Sequence, residues 1–255
     1  MAQALLFPLI DAGLVPVSGV RAAVASAASA QRLSGLRPDV AVSTEAAPAW
    51  ASAVVLLAVK PQQLEAVAAA APAPAAGQAP LLISVLAGVT VARLQRLFPG
   101  WRIVRAVPNT PALVRAGLTG LAWGEGVEAP QRSWVLQLFA QVGEVLELPE
   151  SQLDAFLALT SSGPAFVALV AEAMADGAVA AGLPRLQAQH LAQRTLAGTA
   201  ALLQEQRLHP GELKDMVSSP GGTTIAGIRA LERAGLRSAL IEAVLAAAER
   251  SRQLG

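Results

Sequence analysis

The chain has 255 residues, a length that suits one large domain or two modest ones. Its net charge of +1 argues against a surface for nucleic acid or anionic membranes, and the absence of cysteine excludes disulfides, thiolate catalysis and cysteine-ligated metals. Hydrophobic residues make up 54% of the sequence but aromatic residues only 4%, so the core must be built from small aliphatic side chains, as in closely packed helices.

The first residues read as a helix rather than as a targeting signal. Residues 1–16 lack the basic segment of a signal peptide and include Asp11. A dinucleotide-binding α/β fold opens with a strand and a Gly-x-Gly-x-x-Gly/Ala turn before such a helix. We therefore expect that strand and turn to be encoded upstream of Met1, with Ala2 at the third small position of the fingerprint. Val24, Ala25 and Ser26 are then predicted to end the second strand, where the adenosine ribose or its 2′-phosphate is recognised.

Four aliphatic runs separated by helical stretches predict a doubly wound α/β sheet. The runs are 54–59, 81–86, 102–107 and 118–123, and the helical stretches are 62–71, 91–97 and 131–142. Continuous apolar runs are typical of parallel strands buried on both faces, and their alternation with helices indicates a Rossmann-like sheet, here lacking its first strand. The loops at 60–62, 87–88 and 108–111 follow three of these runs, where such sheets bind ligands. They form the candidate cofactor rim.

An uncharged stretch at 66–92 raises the question of a membrane-spanning helix. Pro72, Pro74 and Pro80 interrupt it, whereas a spanning helix needs about 20 continuous apolar residues. We predict a helix end, a loop and a buried strand instead.

From residue 151 onward the pattern is helical. Helices are predicted at 164–181, 184–206, 210–217, 224–234 and 236–254, with proline at three of the starts and glycine after two of the ends. The sequence thus predicts two domains, a dinucleotide-binding domain at 1–150 and an all-helical domain at 151–255. Large apolar faces on so short a helical segment indicate burial against a second copy.

The segment 209–227, HPGELKDMVSSPGGTTIAG, carries the most informative local signal. Proline fixes φ and glycine tolerates positive φ, so Pro220-Gly221-Gly222 predicts a tight turn into a new helix. Thr223 or Thr224 is then expected to cap that helix, whose free N–H groups make a ready anion site. A bare Pro-Gly-Gly would be read as an ordinary turn, and the wider context reverses that reading.

Seven motifs resemble, in family order along essentially the whole chain, the pyrroline-5-carboxylate reductase family. They are MAQAL at the first helix, LAVKPQ at 57–62, SVLAGVT at 84–90, RAVPNTPALVRAG at 105–117, SSGPAF at 161–166, ADGAVAAGLPR at 175–185 and LKDMVSSPGGTTIAG at 213–227. The last is highly specific. Three positions depart from the family pattern: Phe166 replaces a Tyr, Arg194 replaces a Gln, and Glu45 stands where an Asn often contacts the cofactor.

The resemblance implies hydride transfer from NADPH or NADH to the C=N carbon of Δ1-pyrroline-5-carboxylate, which gives L-proline in the last step of proline biosynthesis. It implies Thr224 as the catalytic residue, through a hydrogen bond to the imine nitrogen. The implied substrate-binding residues are Glu150, Ser219, Gly221, Gly222, Thr223 and Thr224. The implied cofactor-binding residues are Met1, Ala2, Ser26, Ala58, Val59, Lys60, Pro61, Val85, Leu86, Ala87, Asn109 and Thr110, and no metal site is implied.

Three of these side chains keep a structural alternative. Glu150 is equally well read as a solvated loop carboxylate, Lys60 as a solvated charge at a strand end, and Asn109 as a turn residue. The sequence at Val24, Ala25 and Ser26, where the ribose or its 2′-phosphate is recognised, does not distinguish NADPH from NADH.

Two other functions stay open from the residues. The missing glycine turn favours a non-catalytic relative that keeps the helical dimer domain but has lost nucleotide binding. A β-hydroxyacid dehydrogenase has a similar two-domain build, but it places a catalytic Lys in the first long helix of its second domain, and 164–181 contains no Lys. The resemblance further implies a cytoplasmic homodimer, with a ring of dimers as a higher assembly and no nucleic-acid or membrane partner.

Overall fold

A computed structural model of the protein describes residues 2–75 and 77–254, which form seven strands and twelve α-helices. The strands are β1 (Arg21–Ala23), β2 (Ala41–Ser43), β3 (Val54–Leu57), β4 (Leu81–Ser84), β5 (Arg102–Pro108), β6 (Gly117–Trp123) and β7 (Gly143–Glu147). The helices are α1 (Ala2–Asp11), α2 (Ala27–Leu36), α3 (Ala47–Trp50), α4 (Leu64–Ala69), α5 (Val91–Leu97), α6 (Ala129–Ala140), α7 (Leu153–Thr160), α8 (Gly163–Ala180), α9 (Arg185–Gln206), α10 (Pro210–Met216), α11 (Thr223–Arg233) and α12 (Leu236–Leu254).

The chain forms two compact units, Met1–Ser161 together with Ala247–Gly255, and Ser162–Ala246. The predicted boundary at residue 150 stays a prediction about folding domains. Each unit is described separately below.

The first unit contains two sheets. A five-stranded sheet has the order β3-β4-β5-β6-β7, and a two-stranded parallel sheet joins β1 to β2. Within the described residues, β1 pairs only with β2 and β3 only with β4, so no strand pairing connects the two sheets. The predicted Rossmann-like α/β architecture is confirmed, and all four predicted strand runs are present with slightly different ends.

The five-stranded sheet is mixed, because β6 runs antiparallel to β5. The chain between Pro108 and Gly117 is a short loop with a 3-10 turn. A parallel partner would need a crossover connection of roughly a dozen residues or more. The loop is too short for that crossover, so the chain reverses direction and β6 pairs antiparallel.

Helices cover both faces of this sheet, as a doubly wound fold requires. Successive side chains along β4 and β5 point to opposite faces of the sheet. One core contains Ile83 and Val104 with Leu5 of α1 and Phe139 of α6. The other contains Leu82, Ile103, Leu64, Leu94 and an aromatic cluster of Trp50, Phe98 and Trp101. Small aliphatic side chains therefore build most of the core, as the composition indicates.

A surface ion-pair group joins the end of α1 to the loop after α2. Arg37 bonds Asp39 through two nitrogens at 2.8 and 2.9 Å and Asp11 at 2.9 Å. The hydrogen bond from Arg37 lowers the pKa of Asp39 below its ordinary value. Both carboxylates are solvent-exposed, so solvent screening keeps this contribution to stability small.

The second unit consists of helices joined by short turns. Its buried core is a cluster of three alanines, Ala175 of α8 with Ala188 and Ala192 of α9. Side chains of this size let two helix backbones approach closely. Large apolar residues are instead exposed on the helices of this unit, among them Leu169 on α8, Leu186 on α9 and Ile241 on α12.

One segment of the described chain, 150–180, is long and apolar enough to cross a membrane by length and composition alone. It is not one helix, because α7 ends at Thr160 and α8 begins at Gly163. The break makes the segment weak support for a membrane span. The stretch at 66–92 contains α4, a loop and β4, as predicted.

Candidate active site

The predicted tight turn at Pro220-Gly221-Gly222 is present between α10 and α11. Gly221 has φ +68°, and the N–H of Gly222 donates to the carbonyl oxygen of Ser219 at 3.0 Å. Glycine is needed at 221 because residues with a Cβ rarely adopt that φ. The turn delivers the chain directly into the first residue of α11.

The predicted capping residue was wrong. Gly222, with φ −77° and ψ 175°, is the N-cap of α11, and no side chain caps the helix there. Thr223 and Thr224 are its first two helical residues. Their N–H groups therefore belong to the first turn, where a helix has no internal partner for its donors. The N–H of Gly222 is already engaged within the turn, so Thr223 and Thr224 supply the free donors.

The two threonines differ in exposure. Thr223 is exposed and Thr224 is half-buried. The helix N-terminus also carries a partial positive charge. Free N–H groups, this charge and the hydroxyl of Thr224 together form a site that can bind a carboxylate and present a hydroxyl beside it.

Ser219 lies against the N-cap of α11. A Cβ on Gly222 would come within 2.4 Å of the Ser219 hydroxyl oxygen. A side chain at 222 would therefore require the Ser219 hydroxyl to rotate and the turn to shift slightly, because the Ser219 carbonyl oxygen would lie 3.2 Å away. The φ of Gly222, −77°, would suit any residue.

In the first unit, the three predicted rim loops follow the adjacent strands β3, β4 and β5. β3 and β4 are parallel, as are β4 and β5, so all three loops leave the same edge of the sheet. That edge is where open α/β sheets bind nucleotides. The topology therefore brings the rim loops at 60–62, 87–88 and 108–111 to one side of the first unit, together with the predicted cofactor residues at 58–61, 85–87 and 109–110.

The loops present mostly backbone to this edge. Ala58 and Val59 are half-buried, whereas Lys60 is exposed and its N–H donates to Oε1 of Gln63 at 3.4 Å. Val85 is half-buried and Ala87 is exposed, but Leu86 is only 2% exposed and packs in the core beneath. Leu86 can therefore contribute its backbone to a ligand and little of its side chain.

Asn109 has a structural role. Its Nδ2 donates to the carbonyl oxygen of Thr160 at 2.9 Å, and its Oδ1 accepts from the N–H of Leu118 at 2.8 Å. It is 4% exposed. Asn109 thus ties the end of β5 to β6 and α7, and the exposed Thr110 is the freer of the two polar side chains.

Glu150 is held by an ion pair that the sequence analysis missed. Its Oε1 accepts from Nη1 of Arg105 at 3.0 Å and from the N–H of Val91, the first residue of α5, at 2.7 Å. Within the described residues no hydrogen bond is found to its Oε2. Arg105 is the one charged residue within the aliphatic run 103–107, and this was the sign in the sequence of a buried ion pair.

The remaining predicted residues lie at the beginning of the chain. Ser26 is the N-cap of α2 and accepts from the N–H of Ser29 at 3.2 Å. Ala2 is the first residue of α1 and is exposed, and Met1 lies outside the described residues. Glu45 and Arg21 help to line a cavity of about 260 Å³ along β1 and β2. No cluster of potential metal ligands occurs in the described part of the chain.

Comparisons with known proteins match both halves of the chain. Residues 150–254 match the family model described as pyrroline-5-carboxylate reductase dimerisation, and residues 1–88 match that of NADP oxidoreductase, coenzyme F420-dependent. A pyrroline-5-carboxylate reductase from Synechocystis is 53% identical over 80% of this chain and 76% of its own length. One from Methanosarcina acetivorans is 44% identical over 80% of this chain and 76% of its own length.

Solved structures agree. A pyrroline-5-carboxylate reductase from Coxiella burnetii superposes with a TM-score of 0.87 at 32% identity, covering 100% of this chain and 94% of that one. The Plasmodium falciparum enzyme, solved with NADP bound, gives a TM-score of 0.88 at 26% identity, covering 99% of this chain and 94% of that one.

Proposed function

The chain belongs to the pyrroline-5-carboxylate reductase family, and from that premise we propose how its residues divide the work of the reaction. It reduces Δ1-pyrroline-5-carboxylate to L-proline with NAD(P)H, in the last step of proline biosynthesis. The free N-terminus of α11, with its threonine hydroxyls, is the observation that supports the assignment of substrate binding. The loops after β3, β4 and β5 support that of cofactor binding.

The substrate carboxylate binds the N–H groups of Thr223 and Thr224. These donors are unengaged by their position at N1 and N2 of α11. A helix N-terminus binds an anion without any Lys or Arg. Ser219, Gly221 and Gly222 shape the turn that exposes these donors.

Thr224 donates or relays a hydrogen bond at the imine nitrogen. Reduction of a C=N bond adds a hydride to carbon and a proton to nitrogen, so a hydroxyl or water must lie near that nitrogen. The hydroxyl of Thr224 is a weak acid, and its role is to orient the ring and the proton source. The carboxylate contact and the hydroxyl contact come from the same residue, which fixes the orientation of a small substrate.

The rim of the first unit fits a dinucleotide. Its loops offer backbone groups and small side chains at one sheet edge, with no bulky side chain on 58 or 87. We assign the nucleotide to 58–61, the nicotinamide to Val85, Leu86, Ala87 and Thr110, and the adenosine ribose or its phosphate to Ser26 at the N-terminus of α2. Asn109 acts by holding the end of β5 in place. NAD(P)H supplies the hydride when bound.

We assign Glu150 to substrate binding only through Oε2, which has no hydrogen bond within the described residues. Oε1 is taken by Arg105 and Val91, so any contact with substrate or a bridging water would use Oε2. Its hydrogen bonds to Arg105 and Val91 give Glu150 a structural role within the first unit.

The proposed assembly is a cytoplasmic homodimer formed through residues 151–255. The exposed apolar side chains of the second unit support it, since a monomer rarely exposes so many. A ring of dimers is the higher assembly that sedimentation would detect.

The decisive experiment follows NADPH oxidation with pyrroline-5-carboxylate. Thr224→Ala keeps the backbone donor but removes the hydroxyl, so we expect kcat/KM to fall roughly 10-fold, the value of one hydrogen bond of about 1.4 kcal/mol. Thr224→Ser should restore most of the loss.

Thr195→Ala is the matched control. Thr195 lies on α9, and the one hydrogen bond of its hydroxyl within the described residues is to the carbonyl oxygen of Leu191, so kinetics should not change. Unchanged kinetics in Thr224→Ala would remove Thr224 from the mechanism. Failure of the unaltered protein to oxidise NADPH would favour the non-catalytic relative.

A further inference from the structure

Arg105 is a buried cation in the middle of the sheet. Its side chain is 2% exposed on β5, and it meets two carboxylates, Glu150 at 3.0 Å and Asp154 at 3.6 Å. Its Nε is buried without a hydrogen-bond partner in the described residues. Burying a charge is unfavourable unless partners compensate it, and an apolar residue would fill the same space at no such cost. Packing alone therefore does not account for a charge at position 105.

Glu150 connects Arg105 to the N-terminus of α5. The same Oε1 that accepts from Arg105 accepts from the N–H of Val91 at 2.7 Å. Thr90, the N-cap, accepts from the N–H of Arg93 at 3.2 Å. A carboxylate at this position satisfies a free donor and complements the helix dipole. Arg105 keeps that carboxylate in place.

The segment fixed in this way is the turn between β4 and α5. Arg105 is the register partner of Ser84, the last residue of β4, and Val91 is the first residue of α5. Residues 85–90 lie between these two points and include Gly88, at φ +74°. One end of the turn is therefore held by pairing with the strand of Arg105, and the other by Glu150.

We propose that Arg105 is a positioning residue, which sets the turn at 85–90 through Glu150 and so fixes the dinucleotide in place for hydride transfer. The inference rests on the proposed function, since only that function assigns Val85, Leu86 and Ala87 to the nicotinamide. Arg105 itself touches neither substrate nor cofactor in this scheme.

A second arm holds Asp154. The hydroxyl of Ser251, 3% exposed near the end of α12, donates to Oδ1 of Asp154 at 2.7 Å. Asp154 thus contacts both Ser251 and Arg105 through the same oxygen, Oδ1. Arg105, Glu150, Asp154 and Ser251 form what we call the Arg105 network, and Ser251→Ala should give a weaker form of the Arg105 phenotype.

The test compares two ion pairs that share strand β5. Arg105→Lys and Glu150→Gln perturb the network, each conservatively. Arg102→Lys and Glu128→Gln perturb the control pair, in which Arg102, the first residue of β5, contacts Glu128 at 2.7 Å. Arg102 is 25% and Glu128 63% exposed. The readouts are the Kd for NADPH by fluorescence titration, kcat, the KM for pyrroline-5-carboxylate, and thermal unfolding.

We expect both network variants to raise the NADPH Kd roughly 3- to 30-fold and to lower kcat, and Arg105→Lys to leave the KM for pyrroline-5-carboxylate unchanged. The double variant should match the more affected single variant, because both changes break one path. The control variants should bind NADPH as the unaltered protein does.

Lower thermal stability with an unchanged NADPH Kd and kcat would overturn the proposal and leave the network purely structural. If Arg105→Lys does not fold, Glu150→Gln decides alone, because its amide oxygen still accepts from Val91 while its charge is gone. If the unaltered protein binds NADPH but does not reduce pyrroline-5-carboxylate, the proposed function fails, and the Kd comparison still tests the positioning role.

Discussion

Two neighbouring glycines in the turn before α11 have different roles. The backbone angle of Gly221, φ +68°, favours glycine, whereas a Cβ at Gly222 would force the side chain of Ser219 to move. The sequence motif Pro-Gly-Gly predicts the turn but does not distinguish these two roles. Substitutions of Gly221 and of Gly222 are therefore expected to act differently. Only that of Gly222 involves a side chain, Ser219, beside the proposed substrate site.

Gly222→Ala should weaken substrate binding while leaving the fold intact. The new Cβ would lie 2.4 Å from the Ser219 hydroxyl oxygen and 3.2 Å from the Ser219 carbonyl oxygen, so Ser219 must rotate and the turn must shift. We expect the KM for pyrroline-5-carboxylate to rise about 5-fold, equivalent to about 1 kcal/mol of misplaced donors, with little change in the thermal midpoint.

Ser219→Ala combined with Gly222→Ala removes the closest contact and should recover part of the affinity. An unchanged KM in Gly222→Ala would show that the donors of Thr223 and Thr224 do not contact the substrate.

At the scale of elements, β6 and β7 begin with two glycines in backbone contact. Gly117 is the register partner of Gly143, and a Cβ on Gly143 would lie 1.9 Å from the carbonyl oxygen of Gly117. Gly143 also has φ +148°. Neither strain can be relieved by rotating a side chain, because the colliding atoms belong to the backbone.

Gly143→Ala should therefore destabilise the first unit by about 3 kcal/mol or more, from backbone strain and overpacking together. Chemical denaturation would measure the free energy of unfolding. Gly35→Ala is the control, since Gly35 lies within α2 and a Cβ there meets nothing within 4 Å. Alanine should stabilise that helix by about 0.5–1 kcal/mol. Equal effects of the two substitutions would contradict the close approach of β6 and β7.

Hydrophobic runs predict the strands of the sheet well and their ends and directions less well. Ala58, Val59, Val85 and Leu86 continue aliphatic runs but lie beyond the last paired residues of β3 and β4. Side-chain pattern does not encode strand direction, so the antiparallel β6 follows only from the length of the loop before it. The strands β1 and β2, of three residues each, are too short to show a pattern, and two glutamates interrupt the aliphatic residues of β7.

The sequence likewise predicts some parts of the candidate site and not others. The turn at 220–222 and the rim loops are local in sequence, so motifs predict them. The Arg105 network is not local, since its four members are separated by up to 146 positions, from Arg105 to Ser251. A single arginine in an aliphatic run signals a buried charge but does not identify its partners. For the same reason, the bonds from Asn109 to Thr160 and Leu118 were beyond sequence reasoning.

At the scale of the whole molecule, the second unit buries few apolar side chains and exposes several large ones. Its buried apolar cluster is formed by alanines, while Leu186 and Ile241 are 81% and 58% exposed. Side chains of this size contribute about 1.5–3 kcal/mol each when fully buried. Their burial against a second copy would therefore provide stabilisation that the folded monomer lacks.

Stability should accordingly depend on protein concentration. For an obligate dimer, each tenfold increase in concentration adds about 1.4 kcal/mol to apparent stability, so the thermal midpoint should rise between dilute and concentrated samples. Ile241→Glu places a charge on the exposed apolar surface of α12 and should shift the protein toward monomer in sedimentation, with a lower midpoint. Gln204→Glu adds the same charge at an exposed polar position of α9 and should leave the dimer intact. A midpoint independent of concentration, with monomer alone in sedimentation, would rule out the second copy as the partner of this surface.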